Sequence, residues 1–284
     1  MVGVRGFWLG LCFLLGGGQA AGLPPGVELI QDVPYCQAGA RVLTLDILRP
    51  KGPAEGLPAV VWIHGGGWYS GDKRRGWPHL VPLAQAGFFT ATVAYRLSRE
   101  AQFPAQIHDV KCAIRYLRAQ AHRYGLNPER IGVWGGSAGG HLAALLGVSG
   151  GVEGLEGAGG WKGYSSRVQA VVVWFAPTDL TSVDPRRRSV QLLLGGPVHE
   201  RLELARQASP LYYVTPDDPP FLIQHGAEDP VVPLEQGQKL YQKLKLQGVE
   251  ARLEVFPGMG HGGTAFTSPR NYQNITAFFL RHLR

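Results

Sequence analysis

The sequence predicts an α/β domain: a mostly parallel central sheet with helices on both faces and a small cap inserted late in the chain. Three observations carry that expectation. Residues 59–63 (AVVWI) and 168–174 (VQAVVVW) are nearly unbroken apolar runs, as in strands buried on both faces of a parallel sheet, whereas a strand with one wet face alternates. Stretches with helical spacing of apolar residues separate such runs, as crossover helices do between parallel strands. The third is residues 131–147 (IGVWGGSAGGHLAALLG), where a short apolar strand passes through a glycine-rich turn directly into an apolar helical run.

Taken in order, residues 43–48 (LTLDIL) alternate as an antiparallel strand does, and 49–58 is a connection rich in Pro and Gly. The strand at 59–63 ends at HGGGW, residues 64–68. A helix is expected over 77–86, a strand over 88–95 and a long helix over 103–124, ahead of the strand, turn and helix at 131–147. Residues 148–164 read as a glycine-rich loop and 168–174 as the next strand. From 176 to 220 the alternation lapses, apart from a helix over 200–207, and this stretch reads as the cap. It resumes with a strand at 220–224, a helix at 234–246, a strand at 250–256 and a closing helix at 269–283.

A chain of 284 residues that is 45% hydrophobic can bury one large core, so residues 21–284 are expected to form a single domain. Residues 1–20 differ: Arg5, an apolar run over 7–15 and a small-residue site ending at Ala20 read as a signal peptide, which places the protein outside the cytoplasm, secreted or periplasmic. The apolar run is about half of the ~20 residues needed to cross a bilayer, so no stable membrane span is expected after cleavage. The formal net charge is +7, but the basic residues are not interleaved with aromatics, which argues against nucleic acid as a partner. The dense basic run Arg186, Arg187, Arg188 reads as a solvated turn rather than an anion site. Loss of Cys12 with the leader leaves Cys36 and Cys112. The stripe Ile107, Val110, Ile114, Leu117 and Ala121 puts Cys112 on the opposite face of its helix, which the segment carrying Cys36 could cover. The pair forms a disulfide in an oxidising compartment or stands as two thiols.

A serine on a sharp turn between a buried strand and a helix is the layout of a nucleophile elbow, and Ser137 sits in its G-x-S-x-G pattern. Chance alone would give about 0.2 matches in a chain this rich in glycine. A second match surrounds Ser149, but no strand precedes it, so Ser149 reads as loop. A serine hydroxyl needs a histidine to take its proton and a carboxylate to fix that histidine's tautomer. In open α/β sheets such groups lie in loops just after strands. Asp229 follows the strand at 220–224 and His261 the strand at 250–256, giving the order Ser, Asp, His. Asp179 is the alternative carboxylate. Glu228 adjoins Asp229, and side chains at neighbouring loop positions diverge.

Acyl transfer also builds charge on the carbonyl oxygen, which backbone N–H groups stabilise. Gly66 and Gly67 of HGGGW and the amide of Ala138 are the candidate oxyanion hole, with His64 anchoring that loop. Trp68, Tyr69, Trp174 and Phe175 could line a substrate pocket or belong to the core. No metal-ligand spacing and no dinucleotide fingerprint occur.

From about residue 40 onward these features resemble the α/β-hydrolase esterases of the hormone-sensitive-lipase-like group, and within it the secreted branch described as bifunctional feruloyl/acetyl-xylan esterase-like. The resemblance rests on LDILRP (45–50), HGGGW (64–68), FPAQIHDVK (103–111), GGSAG (135–139), ASP (208–210) and HGxxD (225–229). It implies the α/β-hydrolase fold, Ser137, Asp229 and His261 as a triad, the HGGGW loop as oxyanion hole, and no cofactor. Members act on acetyl, feruloyl, short acyl and formamide groups, so the expected partner is a small-molecule or carbohydrate ester. The competing functions are a noncatalytic ligand-binding homologue and a peptidase or amidase of the same fold.

Overall fold

The computed structural model describes residues 23–283, so the signal peptide expected over 1–20 lies outside the described residues. The strands are β1 (Val27–Ala38), β2 (Arg41–Pro50), β3 (Leu57–Ile63), β4 (Phe89–Val93), β5 (Leu126–Gly136), β6 (Ala170–Trp174), β7 (Phe221–Gly226) and β8 (Ala251–Phe256). They form one sheet in the order β1-β2-β4-β3-β5-β6-β7-β8. From β4 to β8 every neighbouring pair is parallel, while β2 runs antiparallel to both β1 and β4. The helices are α1 (Trp77–Gln85), α2 (Ala105–Ala119), α3 (Ala121–Tyr124), α4 (Ala138–Val148), α5 (Glu153–Glu156), α6 (Arg188–Leu194), α7 (Leu202–Gln207), α8 (Leu234–Leu246) and α9 (Pro269–His282).

The period of two along each strand divides the apolar side chains between two layers. Val61, Val133, Val171 and Ile223 face Ile107 and Val110 of α2, Leu142 and Leu145 of α4, and Leu240 and Leu244 of α8. Val60, Trp62, Trp134, Val172 and Trp174 pack with Leu80 and Leu83 of α1 and Ile275 and Phe279 of α9. Both faces are therefore covered, which is why β3 and β6 carry no alternation of apolar and polar residues. In β4, Thr90 and Thr92 are fully buried, and their hydroxyls donate to the carbonyls of Leu48 and Lys73 at 2.7 Å each. Among the described residues no helix is long and apolar enough to cross a membrane.

Several expectations need correction. β1, unforeseen, is an edge strand whose pairing to β2 slips between Ile30 and Val33 and again between Pro34 and Cys36. Such bulges erase the period of two. The helix expected over 103–124 is interrupted at Gln120, giving α2 and α3. Within 176–220 there are no strands, and α6, too short to show a helical period, joins the expected α7. Ser149 lies outside the helix, as expected of a loop residue, but it caps α4, is fully buried, and donates to the Leu145 carbonyl. Cys36 and Cys112 are joined in a disulfide, tying β1 to α2.

Candidate active site

Ser137 stands between β5 and α4 with φ +56° and ψ −122°, a conformation that is costly for a residue with a Cβ. Tight packing holds it there: its amide donates to the Trp174 carbonyl at 2.9 Å and its carbonyl accepts from the His141 amide at 2.9 Å. A Cβ on Gly139 would lie 2.0 Å from the Ile63 carbonyl oxygen. The first turn of α4 thus presses directly on the end of β3, and only glycine allows that approach.

His261 lies in the turn after β8, with its Nε2 2.8 Å from Ser137 Oγ and its Nδ1 2.7 Å from Asp229 Oδ2. Asp229 follows β7. Its other oxygen, Oδ1, accepts from the amides of Val231 and Val232 at 2.8 Å each. Burial pushes the Asp229 carboxyl pKa up, but the hydrogen bond to His261 and the two amides outweigh it and leave the pKa below the ordinary carboxylate value. Asp179, the alternative, bonds instead to Thr181, Tyr212 and Lys239. Glu228 is exposed. The structure therefore brings together residues 137, 229 and 261, drawn from three loops on the carboxyl side of the parallel strands.

The loop after β3 closes the other side. Gly66 has φ +116°, and a Cβ there would lie 2.2 Å from the Ser70 carbonyl oxygen. Among the described residues no acceptor engages the amides of Gly66, Gly67 or Ala138, which are free to meet an oxyanion. His64 is buried beneath this loop, stacked on Tyr95 with ring centroids 4.3 Å apart and bonded to the Gly65 carbonyl at 2.8 Å. Burial lowers its pKa, so it stays neutral.

A cavity of about 790 Å³ opens over Ser137. Trp68, Tyr69, Trp174 and Phe175 all line it, but Trp68 and Trp174 are only 2% and 3% exposed and belong mainly to the core. Tyr69 and Phe175 contribute more open surface, the Phe175 ring lying 4.7 Å from that of His261. Sequence reasoning missed the contribution of residues 176–220, whose Ser182, Asp184, Arg187 and Ser189 reach the same cavity. It also missed His141. This fully buried imidazole accepts from Trp68 Nε1 at 3.1 Å and donates to the Ala208 carbonyl at 2.6 Å, linking the HGGGW loop, α4 and residues 176–220. Burial lowers its pKa to about 4. A polar residue in the apolar run of α4 was the only signal available.

Comparison with known proteins agrees with this architecture. Residues 45–244 match the BD-FAE family. The esterase LipC of Mycobacterium tuberculosis is 34% identical over 228 residues, 77% of this chain and 56% of LipC. This chain spans about half the length of the mycobacterial relatives it matches. Among solved structures, a truncated carbohydrate esterase from gut microbiota superposes with a TM-score of 0.84 at 33% identity, covering 90% of this chain and 96% of that one. The esterase Est2 of Thermogutta terrifontis, with propionate bound, gives 0.76 at 27% identity over 90% of this chain and 94% of its own. With the HGGGW loop, the elbow serine and Asp229 all inside the matched span, the chain belongs to the BD-FAE family, on the α/β-hydrolase fold of the esterases.

Proposed function

We propose that this protein is a serine carboxylic-ester hydrolase that works through an acyl-enzyme on Ser137 and acts on short-chain or carbohydrate-linked acyl esters. The observation that carries the reading is the continuous hydrogen-bonded line from Ser137 Oγ through both nitrogens of His261 to Asp229, with steps of 2.8 and 2.7 Å. His261 Nε2 takes the hydroxyl proton as Oγ attacks the ester carbonyl, and Asp229 holds Nδ1 protonated so that Nε2 is the base. The negative oxygen of the tetrahedral intermediate is met by the amides of Gly66, Gly67 and Ala138, each such donor contributing about 3–4 kcal/mol. His261 then protonates the departing alcohol, and water enters by the same route to release the acid.

The likeness to a carbohydrate esterase supports a sugar-linked substrate. So does a cavity that combines aromatic lining from Tyr69 and Phe175 with hydroxyls from Ser182 and Ser189. The leader pattern and the Cys36–Cys112 disulfide support export to an oxidising compartment. The deciding test is Ser137→Ala with 4-nitrophenyl acetate, together with a fluorophosphonate probe whose adduct is mapped by mass spectrometry. Activity is expected to fall by about a millionfold relative to the intact enzyme, and the adduct to sit on Ser137. Wild-type turnover by the variant, or an adduct elsewhere, rules the reading out.

A further inference from the structure

The cavity carries a charge imbalance that hydrolysis of a neutral ester does not use. Four charged side chains line it: Asp184, Glu235, Arg75 and Arg187. The two carboxylates are already matched, Asp184 by Arg186 at 3.2 Å and Glu235 by Lys239 at 3.0 Å. The two guanidiniums make no direct bond: among the described residues neither Arg75 nor Arg187 makes a side-chain hydrogen bond or ion pair, and Arg187 only feels Asp184 at longer range. The three histidines of the lining, neutral or cationic by nature, cannot offset them. His64 and His79 are held neutral by burial, the latter with its pKa lowered to about 4, and His261 is committed to Ser137 and Asp229.

The basic run at 186–188 therefore divides. Arg186 and Arg188 are exposed, as a solvated turn would have them, but Arg187 is half-buried and turned to the cavity. Arg75, itself exposed, reaches the rim of the same space from the short turn ahead of α1. A guanidinium with no direct partner beside a concave, partly apolar wall is a receptor for a carboxylate, because its planar fork matches both oxygens.

Resting on the esterase reading above, we propose that Arg75 and Arg187 form an anion subsite, and that the preferred substrate is an ester carrying a carboxylate near the scissile bond. That carboxylate belongs either to the acyl part, as in a half-ester of a dicarboxylic acid, or to the alcohol part, as in an acylated uronic acid.

The test compares kcat/KM, corrected for uncatalysed hydrolysis, in two matched pairs: 4-nitrophenyl hemiadipate against 4-nitrophenyl hexanoate, and an O-acetylated methyl glucuronoside against the corresponding glucoside. In one pair the wild type is expected to favour the anionic member, and that pair identifies which part bears the charge. The anionic-to-neutral ratio should fall about fivefold for each of Arg75→Gln and Arg187→Gln. Raising the salt from 0.01 to 0.5 M should lower the wild-type ratio by screening, and Arg187→Glu should make added salt raise it. Equal ratios in the wild type and the double Gln variant for both pairs would overturn the subsite while leaving the esterase reading intact. Failure to hydrolyse even the neutral esters would remove both.

Discussion

Asp229 shows how much of the proposed chemistry depends on one side chain's surroundings. A buried carboxyl would ordinarily hold its proton, but the two amides of its own turn and the imidazole of His261 hold it ionised at neutral pH. Asp229→Asn keeps the shape and removes the charge, so the histidine is no longer held in the tautomer with Nε2 free. The expected fall in kcat is about 10⁴, with little change in the melting temperature, both measured on the purified variant at pH 7. That a carboxylate after β7 could serve was legible from residue order, but order does not separate Asp229 from Glu228; the fold does, turning Asp229 to His261 and leaving Glu228 exposed. The amides of Val231 and Val232 were not legible either, because a backbone turn leaves no mark on residue type.

At the scale of elements, His141 couples three segments that are far apart in the chain. Replacing it by Leu leaves the Trp68 indole N–H and the Ala208 carbonyl buried and unpaired. That should destabilise the fold by about 2–4 kcal/mol and lower kcat more than it raises KM, because the HGGGW loop loses its anchor on α4. His141→Gln, which can both accept and donate, should recover part of kcat. Denaturant titration and steady-state kinetics of the two variants check this. The disulfide is the contrasting case. It ties β1 to α2 across 76 residues, and neither cysteine lines the cavity. Cys36→Ser should therefore cost about 2–5 kcal/mol of stability while kcat at 25 °C stays near the wild-type value.

For the whole molecule, histidines shielded from water make stability fall in acid, offset in part by Asp218, whose carboxyl pKa burial raises to about 6. His79 and His141 have pKa values lowered by burial from 6.5 to about 4. Between those values the unfolded chain binds protons that the native protein refuses, so stability is full above pH 6.5 and declines as pH falls towards 4. For the fully buried His141 the loss approaches about 3 kcal/mol. Unfolding free energies measured at pH 7 and pH 4.5 should differ in this direction, and the difference should shrink in His141→Gln. An equal or greater stability at pH 4.5 would contradict it.

What the sequence determined by itself was local: continuous apolar runs for the doubly covered strands, the glycine spacing around Ser137, and the loops after β7 and β8 that carry Asp229 and His261. Each depends on neighbours within a few residues, where chain geometry leaves few choices. The tertiary structure alone decided the bulged edge strand β1, the pairing of Cys36 with Cys112, the link through His141 and the turn of Arg187 into the cavity. Those depend on contacts between segments tens of residues apart, and a residue's type does not state which distant surface will cover it.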